Sequence, residues 1–196
     1  MILLILFWTA YFACHSLLAS LWLKRRVSML WPAFPYRLFY NILAVLLLLP
    51  GAWLLYGRSW APLWTFRGNW LYFSWLLQFS AVSGFLFSLR YYDMKAFMGL
   101  TPEKDEGFTI SPLHRHVRHP WYCLALVFLW SSSMNAGKLA TAIMMTIYFV
   151  LGSMHEESML IERFGNRYAK YRERVPGLVP LPWKYLSEDE AGTLVK

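Results

Sequence analysis

No charged side chain occurs between Gly68 and Leu89, where the sequence reads GNWLYFSWLLQFSAVSGFLFSL. A helix that crosses the hydrocarbon core of a bilayer needs about 20 apolar residues, and this run supplies them. Strands are excluded because an open sheet cannot satisfy its backbone groups in lipid, and because the run lacks the alternation of a barrel strand. The stretch therefore predicts a membrane-spanning helix.

Four more uncharged runs flank this one. They cover Met1–Leu23, Leu38–Tyr56, Pro120–Gly137 and Leu139–Met154. The first has no basic residue before it and no small-residue cleavage site after it, so we expect a span and not a signal peptide. The last two are short and adjoin at Lys138, which predicts a tight hairpin that turns near Ser133–Lys138. The pattern predicts an all-α, polytopic membrane protein with about five transmembrane helices.

Composition supports this interpretation. Of the 196 residues, 58% are hydrophobic and 15% are charged, whereas ordinary soluble domains are about 25% charged. A soluble domain of this size cannot bury so much apolar surface, which excludes a soluble enzyme, a disordered chain and a disulfide scaffold. Cys14 and Cys123 lie inside apolar runs and are expected to be buried thiols.

The cations are distributed unevenly between the loops. Of the 19 Lys and Arg residues, all but Arg58, Arg67 and Lys138 fall on one predicted side, together with all 11 acidic residues. The positive-inside rule makes that side cytoplasmic and puts the N-terminus outside. We therefore expect the basic residues behind the net charge of +8 to orient the protein in the membrane and to attract anionic lipids. We do not interpret them as a nucleic-acid-binding surface.

A first polar cluster leads into the fourth run. Residues Ser111–Tyr122 read SPLHRHVRHPWY, and Pro120 suits the first turn of a helix. Cations at a helix N-terminus are unfavourable against the helix dipole. Two Arg and three His residues there point to an anionic ligand or, alternatively, to lipid headgroups.

A second polar cluster, His155-Glu156-Glu157, ends the fifth run. Adjacent carboxylates at a membrane boundary need cationic partners or water, the alternative being a solvated helix end. The two legs of the hairpin are about 21 Å and about 27 Å long at 1.5 Å per residue. His119 and the two glutamates should therefore end on the same side, forming an inner pocket that suits a zwitterionic ligand.

Apolar residues recur at helical spacing after the second cluster, at Leu160, Phe164, Tyr168, Tyr171 and Val175. This spacing predicts an amphipathic C-terminal interfacial helix, interrupted at Gly165 and ended by Pro176, that serves either packing or as a lid over the pocket. The last dozen residues, with Ser187–Glu190, are expected to be frayed.

Several motifs occur in the order of one family. They are Arg118-His119-Pro120-Trp121-Tyr122, Glu156-Glu157-Ser158-Met159-Leu160, Phe164-Gly165-Asn166-Arg167-Tyr168 and Val175-Pro176. Through them, residues 95–182 resemble the isoprenylcysteine carboxyl methyltransferase family, whose wider group includes phospholipid methyltransferases and membrane thiol methyltransferases. The N-terminal part, with His15-Ser16 and Tyr36–Asn41, looks more like the thiol S-methyltransferase branch.

The resemblance implies an enzyme of a bacterial inner membrane that takes S-adenosylmethionine from the cytoplasmic side. The acceptor it implies is small or lipophilic: a thiol, a prenylcysteine carboxylate or a lipid amine, arriving laterally from the lipid. The implied cofactor-binding residues are Arg118, His119, Pro120, Tyr122, Glu156 and Glu157. Pro112-Leu113-His114 stands where the family often has Gly-x-Tyr, which bears on the substrate subclass.

The remaining assignments concern the substrate side and proton transfer. His15 in the first span is the predicted substrate-binding residue, with a helix–helix hydrogen bond as the alternative. No catalytic residue is assigned, although His119 or a glutamate is a candidate base for a thiol or amine acceptor. Residues 1–90 are predicted to form a three-span substrate part, 91–182 the cofactor-binding part and 183–196 a tail.

The sequence is also compatible with three other functions. One is a metal oxidoreductase that uses histidines 114, 116, 119 and 155 with Glu156, although we predict no metal site because their spacing matches no known metal pattern. Another is an NADPH-dependent membrane reductase of the sterol-reductase type. The third is a non-enzymatic membrane accessory protein or sensor. The Glu-Glu and Phe-Gly motifs favour the methyltransferase over the reductase.

Overall fold

The computed structural model describes residues 1–102 and 107–195, and these are mainly helical. The charged residues 103–106 and 196, which the charge count includes, lie outside the described residues. In chain order the helices are α1 (Ile2–Ala19), α2 (Leu21–Leu30), α3 (Tyr36–Leu46), α4 (Leu48–Tyr56), α5 (Asn69–Ser88), α6 (Met94–Met98), α7 (Pro120–Trp130), α8 (Ala136–Phe164), α9 (Asn166–Arg174) and α10 (Glu188–Val195). The strands β1 (Pro62–Trp64) and β2 (Met134–Asn135) pair antiparallel. The all-α prediction is confirmed.

Four helical segments of the described chain are long and apolar enough to cross a membrane. They are Ile2–Ala19, Tyr36–Tyr56, Asn69–Tyr91 and Ala136–Phe164. These segments coincide with the first, second, third and fifth uncharged runs. The prediction of a polytopic membrane protein is confirmed.

The fourth uncharged run forms a shorter helix than a span requires. Helix α7 has 11 residues, which is about 16 Å of helix against a hydrocarbon core of about 30 Å. It ends where Ser131 and Ser132 turn their hydroxyls back onto the carbonyls of Phe128 and Leu129. The predicted count of five spans is therefore not confirmed.

The chain divides into two compact units. The first comprises Met1–Thr65, Tyr92–Lys104 and Ser133–Met144, and the second comprises Phe66–Tyr91, Asp105–Ser132 and Met145–Lys196.

In the first unit, α1 packs against the start of α8 and against α3. The Trp8 indole donates to the Thr141 hydroxyl at 3.0 Å, and both side chains are buried. The Tyr40 hydroxyl and His15 Nε2 lie 2.8 Å apart. Cys14, which we expected to be buried, is exposed on α1, because helical spacing turns it away from the buried Trp8 side of that helix.

The first unit also fixes the hairpin turn before α8. Strand β1 follows α4 and pairs with β2, with Pro62 opposite Asn135. At Gly137 a Cβ atom would lie 2.7 Å from the Trp60 indole, so the close approach of the two loops requires glycine there. The predicted turn near residues 133–138 is confirmed, and it lies beside the loop between α4 and α5.

In the second unit, α7 runs antiparallel along α5. The Ser74 hydroxyl donates to the Ser131 carbonyl at 2.6 Å, and the Trp121 indole donates to the Ser88 hydroxyl at 2.7 Å. Both serines are buried, so the polar atoms between these apolar helices are paired. The N-terminus of α7 is thereby held level with the end of α5.

The C-terminal part of the second unit has its own apolar core. Its buried members are Phe108, Tyr168, Tyr171, Val175, Leu186 and Ala191. Gly165, with φ of +57°, separates α8 from α9 at the predicted interruption. The apolar side of α9 is thus used for packing inside the protein, one of the two roles expected for it.

The prediction of a frayed tail is wrong. Ser187 and Glu190 form a capping box at the start of α10: the Glu190 amide donates to the Ser187 hydroxyl, and the Ser187 amide donates to the Glu190 carboxylate at 2.8 Å. Leu186 is buried at 1% exposure, which anchors the segment in the core.

Candidate active site

The predicted cofactor residues meet where α7 begins and α8 passes. His119 Nδ1 lies 3.4 Å from Glu156 Oε2, and His119 Nε2 lies 3.0 Å from Glu157 Oε1. Pro120 occupies the first turn of α7, where its missing N–H costs no hydrogen bond. The hairpin thus brings the two polar clusters together, as the lengths of its legs predict.

Glu157 is the centre of this cluster. Its side chain is 9% exposed, and Oε1 accepts from Arg118 Nε at 2.8 Å and faces Arg118 Nη2 at 2.7 Å. Oε2 lies 3.2 Å from Arg172 Nε. A buried carboxylate is stable only with partners. These contacts supply them, so both oxygens of Glu157 are occupied by groups of the protein.

The Arg118 side chain is likewise occupied by contacts within the protein. Besides its contacts to Glu157, Nη1 donates to the carbonyl oxygens of Arg172 and Val175. The amides of Arg118 and His119 donate to the carbonyls of Pro176 and Gly177, at 2.8 and 3.1 Å. Arg118 therefore ties the end of α9 and the segment after it to the start of α7.

His119 is held on three sides. It is 6% exposed, and both ring nitrogens face carboxylates. Its ring stacks on Tyr122 at 5.5 Å between centroids, and Tyr122 stacks on Phe149 at 4.8 Å. An imidazole whose two nitrogens face carboxylates is placed to hold them, which favours a positioning role over that of the candidate base.

Two charged groups of the cluster remain open to solvent. The Glu156 side chain is 47% exposed, with a single contact to His119 at 3.4 Å. The Arg172 side chain is 51% exposed and contacts Glu157 through Nε. The cluster thus offers one anionic and one cationic group to a ligand.

His114 lies beside this cluster. Burial, and to a smaller extent the nearby His119, lower its pKa to about 4, while Glu156 opposes the shift. The Ser111 hydroxyl lies 2.7 Å from His114 Nδ1, and the Tyr171 hydroxyl donates to the His114 carbonyl at 2.7 Å. A neutral histidine therefore stands where the family often has Gly-x-Tyr.

The other predicted polar residues lie elsewhere. His155 is exposed on α8, and His116 stacks on Tyr185 at 5.8 Å. Across the described parts of the chain, no three His, Cys, Asp or Glu side chains are arranged to hold a metal ion. His15 belongs to the first unit, where its contact with Tyr40 is the helix–helix alternative, and its substrate-binding role stays a prediction.

An apolar cavity of about 420 Å³ lies between α5, α7 and α8 in the second unit. Its lining residues are Ala81, Val82, Phe85, Trp121, Leu124, Ala125, Phe128, Leu129, Met145 and Phe149. Phe149 belongs both to this lining and to the ring stack that begins at His119. The cavity therefore adjoins the charged cluster through aromatic rings.

Comparison with known proteins gives several partial matches. The chain is 36% identical over 134 residues to methanethiol S-methyltransferase 2 of Bradyrhizobium diazoefficiens, covering 66% of this chain and 46% of that protein. It is 37% identical over 89 residues to methanethiol S-methyltransferase of Pseudomonas deceptionensis, covering 44% and 34%. It is 27% identical over 82 residues to protein-S-isoprenylcysteine O-methyltransferase of Schizosaccharomyces pombe, covering 40% and 35%. These matches support the isoprenylcysteine methyltransferase-like family of membrane methyltransferases that the sequence motifs resemble.

The chain spans less than half the length of these curated relatives. No family model matches it, and no solved structure gives a significant match. The relatives and the four apolar helices together identify an integral membrane protein. Since all three relatives carry methyltransferase names, they favour that function over the reductase and the accessory protein.

Two residues of α9, near this cluster, were not predicted as site residues from the sequence. Tyr168 is part of a quoted motif but received no site role, and Arg172 lies in the predicted interfacial helix without a role of its own. Their spacing of four residues, which places side chains on one face of a helix, is the sequence signal that could have indicated them.

Proposed function

We propose that this chain is a membrane methyltransferase that uses S-adenosylmethionine to methylate an apolar thiol. The observation that best supports this is the charged cluster at the start of α7, where Glu156 and Arg172 are half exposed beside buried partners. A ligand that carries both an ammonium and a carboxylate group fits such a pair of open charges.

The residues present fit S-adenosylmethionine as the donor. When bound, this cofactor supplies an electrophilic methyl group on its sulfonium. Glu156 would take the ammonium group, since it is the acidic group of the cluster with free acceptor capacity. The buried pair of Arg118 and Glu157 and the ring of His119 would fix Glu156 in place. Methyl transfer requires that the acceptor is aligned with the methyl group and that water is excluded, and a rigid cluster favours both.

The apolar cavity is our proposed site for the acceptor. Its volume of about 420 Å³ lies within the range typical of small-molecule sites and exceeds the needs of a single methyl group. Two of the relatives are named for methanethiol, and a larger cavity supports a thiol with an apolar chain. Such an acceptor partitions into lipid and can enter between helices.

We also propose that the N-terminus is outside and that the charged cluster is on the cytoplasmic side. The pairing of β1 with β2 supports this, because it holds the loop after α4 beside the hairpin turn. Those are the two regions that contain the few cations on the predicted outer side.

Methyl transfer to a series of thiols tests this function. We expect the purified full chain in detergent to transfer labelled methyl groups from S-adenosylmethionine to alkanethiols, with kcat/KM rising with chain length. Ala125→Phe, which fills the cavity, should lower kcat/KM for long alkanethiols more than for short ones. Val150→Phe, on the exposed side of α8, is the matched control.

Failure can take two forms in this experiment. Absence of transfer to thiols, prenylcysteines and aminophospholipids would contradict the methyltransferase function. Transfer to prenylcysteine carboxylates but not to thiols would instead contradict the acceptor class.

A further inference from the structure

The hydroxyl group of Tyr168 has no hydrogen-bond partner among the residues that the structure describes. The residue as a whole is 2% exposed, and its ring packs in the C-terminal core against Phe108 and Tyr171. No completely enclosed side-chain polar atom of the described chain lacks a partner, so this hydroxyl is not completely enclosed. A buried tyrosine normally pairs its hydroxyl, and an unpaired one needs a reason.

The surroundings of this hydroxyl are those of the charged cluster. Burial raises the pKa of Tyr168, the charge of Glu157 raises it further, and Arg118, Glu156 and Arg172 also act on it. The four side chains that perturb Tyr168 are thus the four charged members of the cluster. Because the group stays protonated, it offers the site a hydrogen-bond donor.

Arg172 lies four residues further along α9, on the same face as Tyr168. Its Nε contacts Glu157, and its side chain is 51% exposed. Within the described part of the chain, its two Nη groups have no partner. Its backbone is fixed, since its carbonyl accepts from Arg118 at 2.8 Å.

Tyr168 and Arg172 together present hydrogen-bond donors, and neither side chain carries a negative charge that would bind a cation. A hydroxyl donor and a guanidinium on one helix face recognise a carboxylate, which can accept from both. The negative charge of Glu157 is already balanced by its cationic neighbours, so Arg172 keeps attraction for a second anion. The anionic group that the proposed cofactor carries is its α-carboxylate.

We propose that Tyr168 and Arg172 form the carboxylate-binding pair of the cofactor site, opposite in charge to Glu156. This assignment rests on the proposed function, because it names the group of S-adenosylmethionine that the pair holds. The cofactor's amino-acid end is then bound by groups of α9 and α8, whereas Arg118 acts as a positioning residue.

Calorimetric titration with two ligands tests the pair in the full chain. S-adenosylhomocysteine has both the ammonium and the carboxylate, and its decarboxylated analogue S-adenosyl-3-thiopropylamine keeps the ammonium alone. Tyr168→Phe and Arg172→Gln should each weaken binding of S-adenosylhomocysteine by about tenfold or more, the usual value of a hydrogen bond to a charged group. Both variants should bind the decarboxylated analogue like wild type.

Two variants on the same helix serve as matched controls. Tyr171→Phe removes a hydroxyl that donates to the His114 carbonyl, and Arg174→Gln removes a contact of 2.6 Å to Glu190. We expect Tyr171→Phe to lower the melting temperature and Tyr168→Phe to leave it unchanged or raise it. Neither control should alter the ratio of affinities for the two ligands.

Several results would overturn the assignment. Wild-type affinity for S-adenosylhomocysteine in Tyr168→Phe and Arg172→Gln would do so, as would an equal loss for both ligands. A melting temperature of Tyr168→Phe lowered as much as that of Tyr171→Phe would show an internal partner for the hydroxyl. If wild type binds neither ligand, the proposed function fails and this assignment fails with it.

Discussion

At the scale of single residues, adjacent glutamates take different roles. Glu157 points into the protein and is surrounded by Arg118, His119 and Arg172, whereas Glu156 is half exposed with one neighbour. Helical geometry explains the difference, since consecutive side chains lie about 100° apart around the axis. Their like charges are thereby separated by the His119 ring.

The two glutamates should differ when neutralised. Glu157→Gln leaves buried cations without their counter-charge, and breaking such a pair typically costs about 3–5 kcal/mol, so thermal unfolding in detergent should occur at a clearly lower temperature. Glu156→Gln should change stability by less than about 1 kcal/mol, as for an exposed pair, yet weaken S-adenosylhomocysteine binding. Equal stability of the two variants would contradict this account of the cluster.

His114 predicts a pH dependence of stability. Its pKa in the folded protein is about 4, below its ordinary value of 6.5. Between these values the unfolded chain binds the proton and the folded one does not, so acidification from pH 6.5 towards pH 4 should lower the free energy of unfolding. His114→Gln should flatten this part of the profile, measured by denaturant unfolding at several pH values. An unchanged slope in that variant would disprove the role of His114.

At the scale of elements, the sequence predicted the lengths of the helices least well. An uncharged run records where charges are absent, and it does not record where a helix ends. The run from Pro120 to Gly137 contains α7, a turn and β2, because serines 131 and 132 satisfy the last carbonyls of α7 with their hydroxyls. Conversely, α8 has 29 residues and continues past the charged end of its run.

The junction between α8 and α9 depends on Gly165. Its φ of +57° is unfavourable for side chains, although nothing in the described structure would touch an added Cβ. Gly165→Ala should therefore cost about 1–3 kcal/mol through backbone strain and weaken cofactor binding by displacing α9. Thermal unfolding and calorimetric titration measure the two effects.

Gly192→Ala is the matched control for this change. Gly192 lies within α10, and nothing described in the structure lies within 4 Å of an added Cβ. Alanine in a helix interior should raise stability by about 0.5–1 kcal/mol. If Gly165→Ala proved as stable as Gly192→Ala, the junction would not depend on glycine.

At the scale of the whole molecule, the strand pairing agrees with the orientation that we propose from the charges. In the proposed orientation, the loop after α4 and the hairpin turn both lie on the outer side. The pairing of Pro62 with Asn135 independently places these two loops next to each other.

Cysteine labelling tests this orientation. In a chain with Cys14 and Cys123 replaced by serine, single cysteines are introduced by Ser59→Cys, Ser133→Cys and Asp189→Cys. We expect an impermeant maleimide added to intact cells to label positions 59 and 133, and position 189 only after permeabilisation. Labelling of 59 and 133 from opposite sides would contradict the pairing of the two loops.

Sequence alone determined the properties that depend on local composition. The uncharged runs indicated about five spanning helices, of which four are long enough in the described chain, the positions of the cations indicated an orientation, and the length of the hairpin legs brought His119 to Glu156 and Glu157. The motifs indicated the family. Each of these follows from side-chain type and helical rise, which need no knowledge of distant contacts.

Tertiary structure decided how each polar group is used. The sequence motifs indicated that Arg118 binds the cofactor. Folding instead places the carbonyls of α9 and the buried Glu157 around its side chain. Tyr168 and Arg172 gained their open donors only when α9 packed against Phe108 and α10. Such roles depend on which partners fill the space around a side chain, and those partners lie up to 60 positions away along the chain.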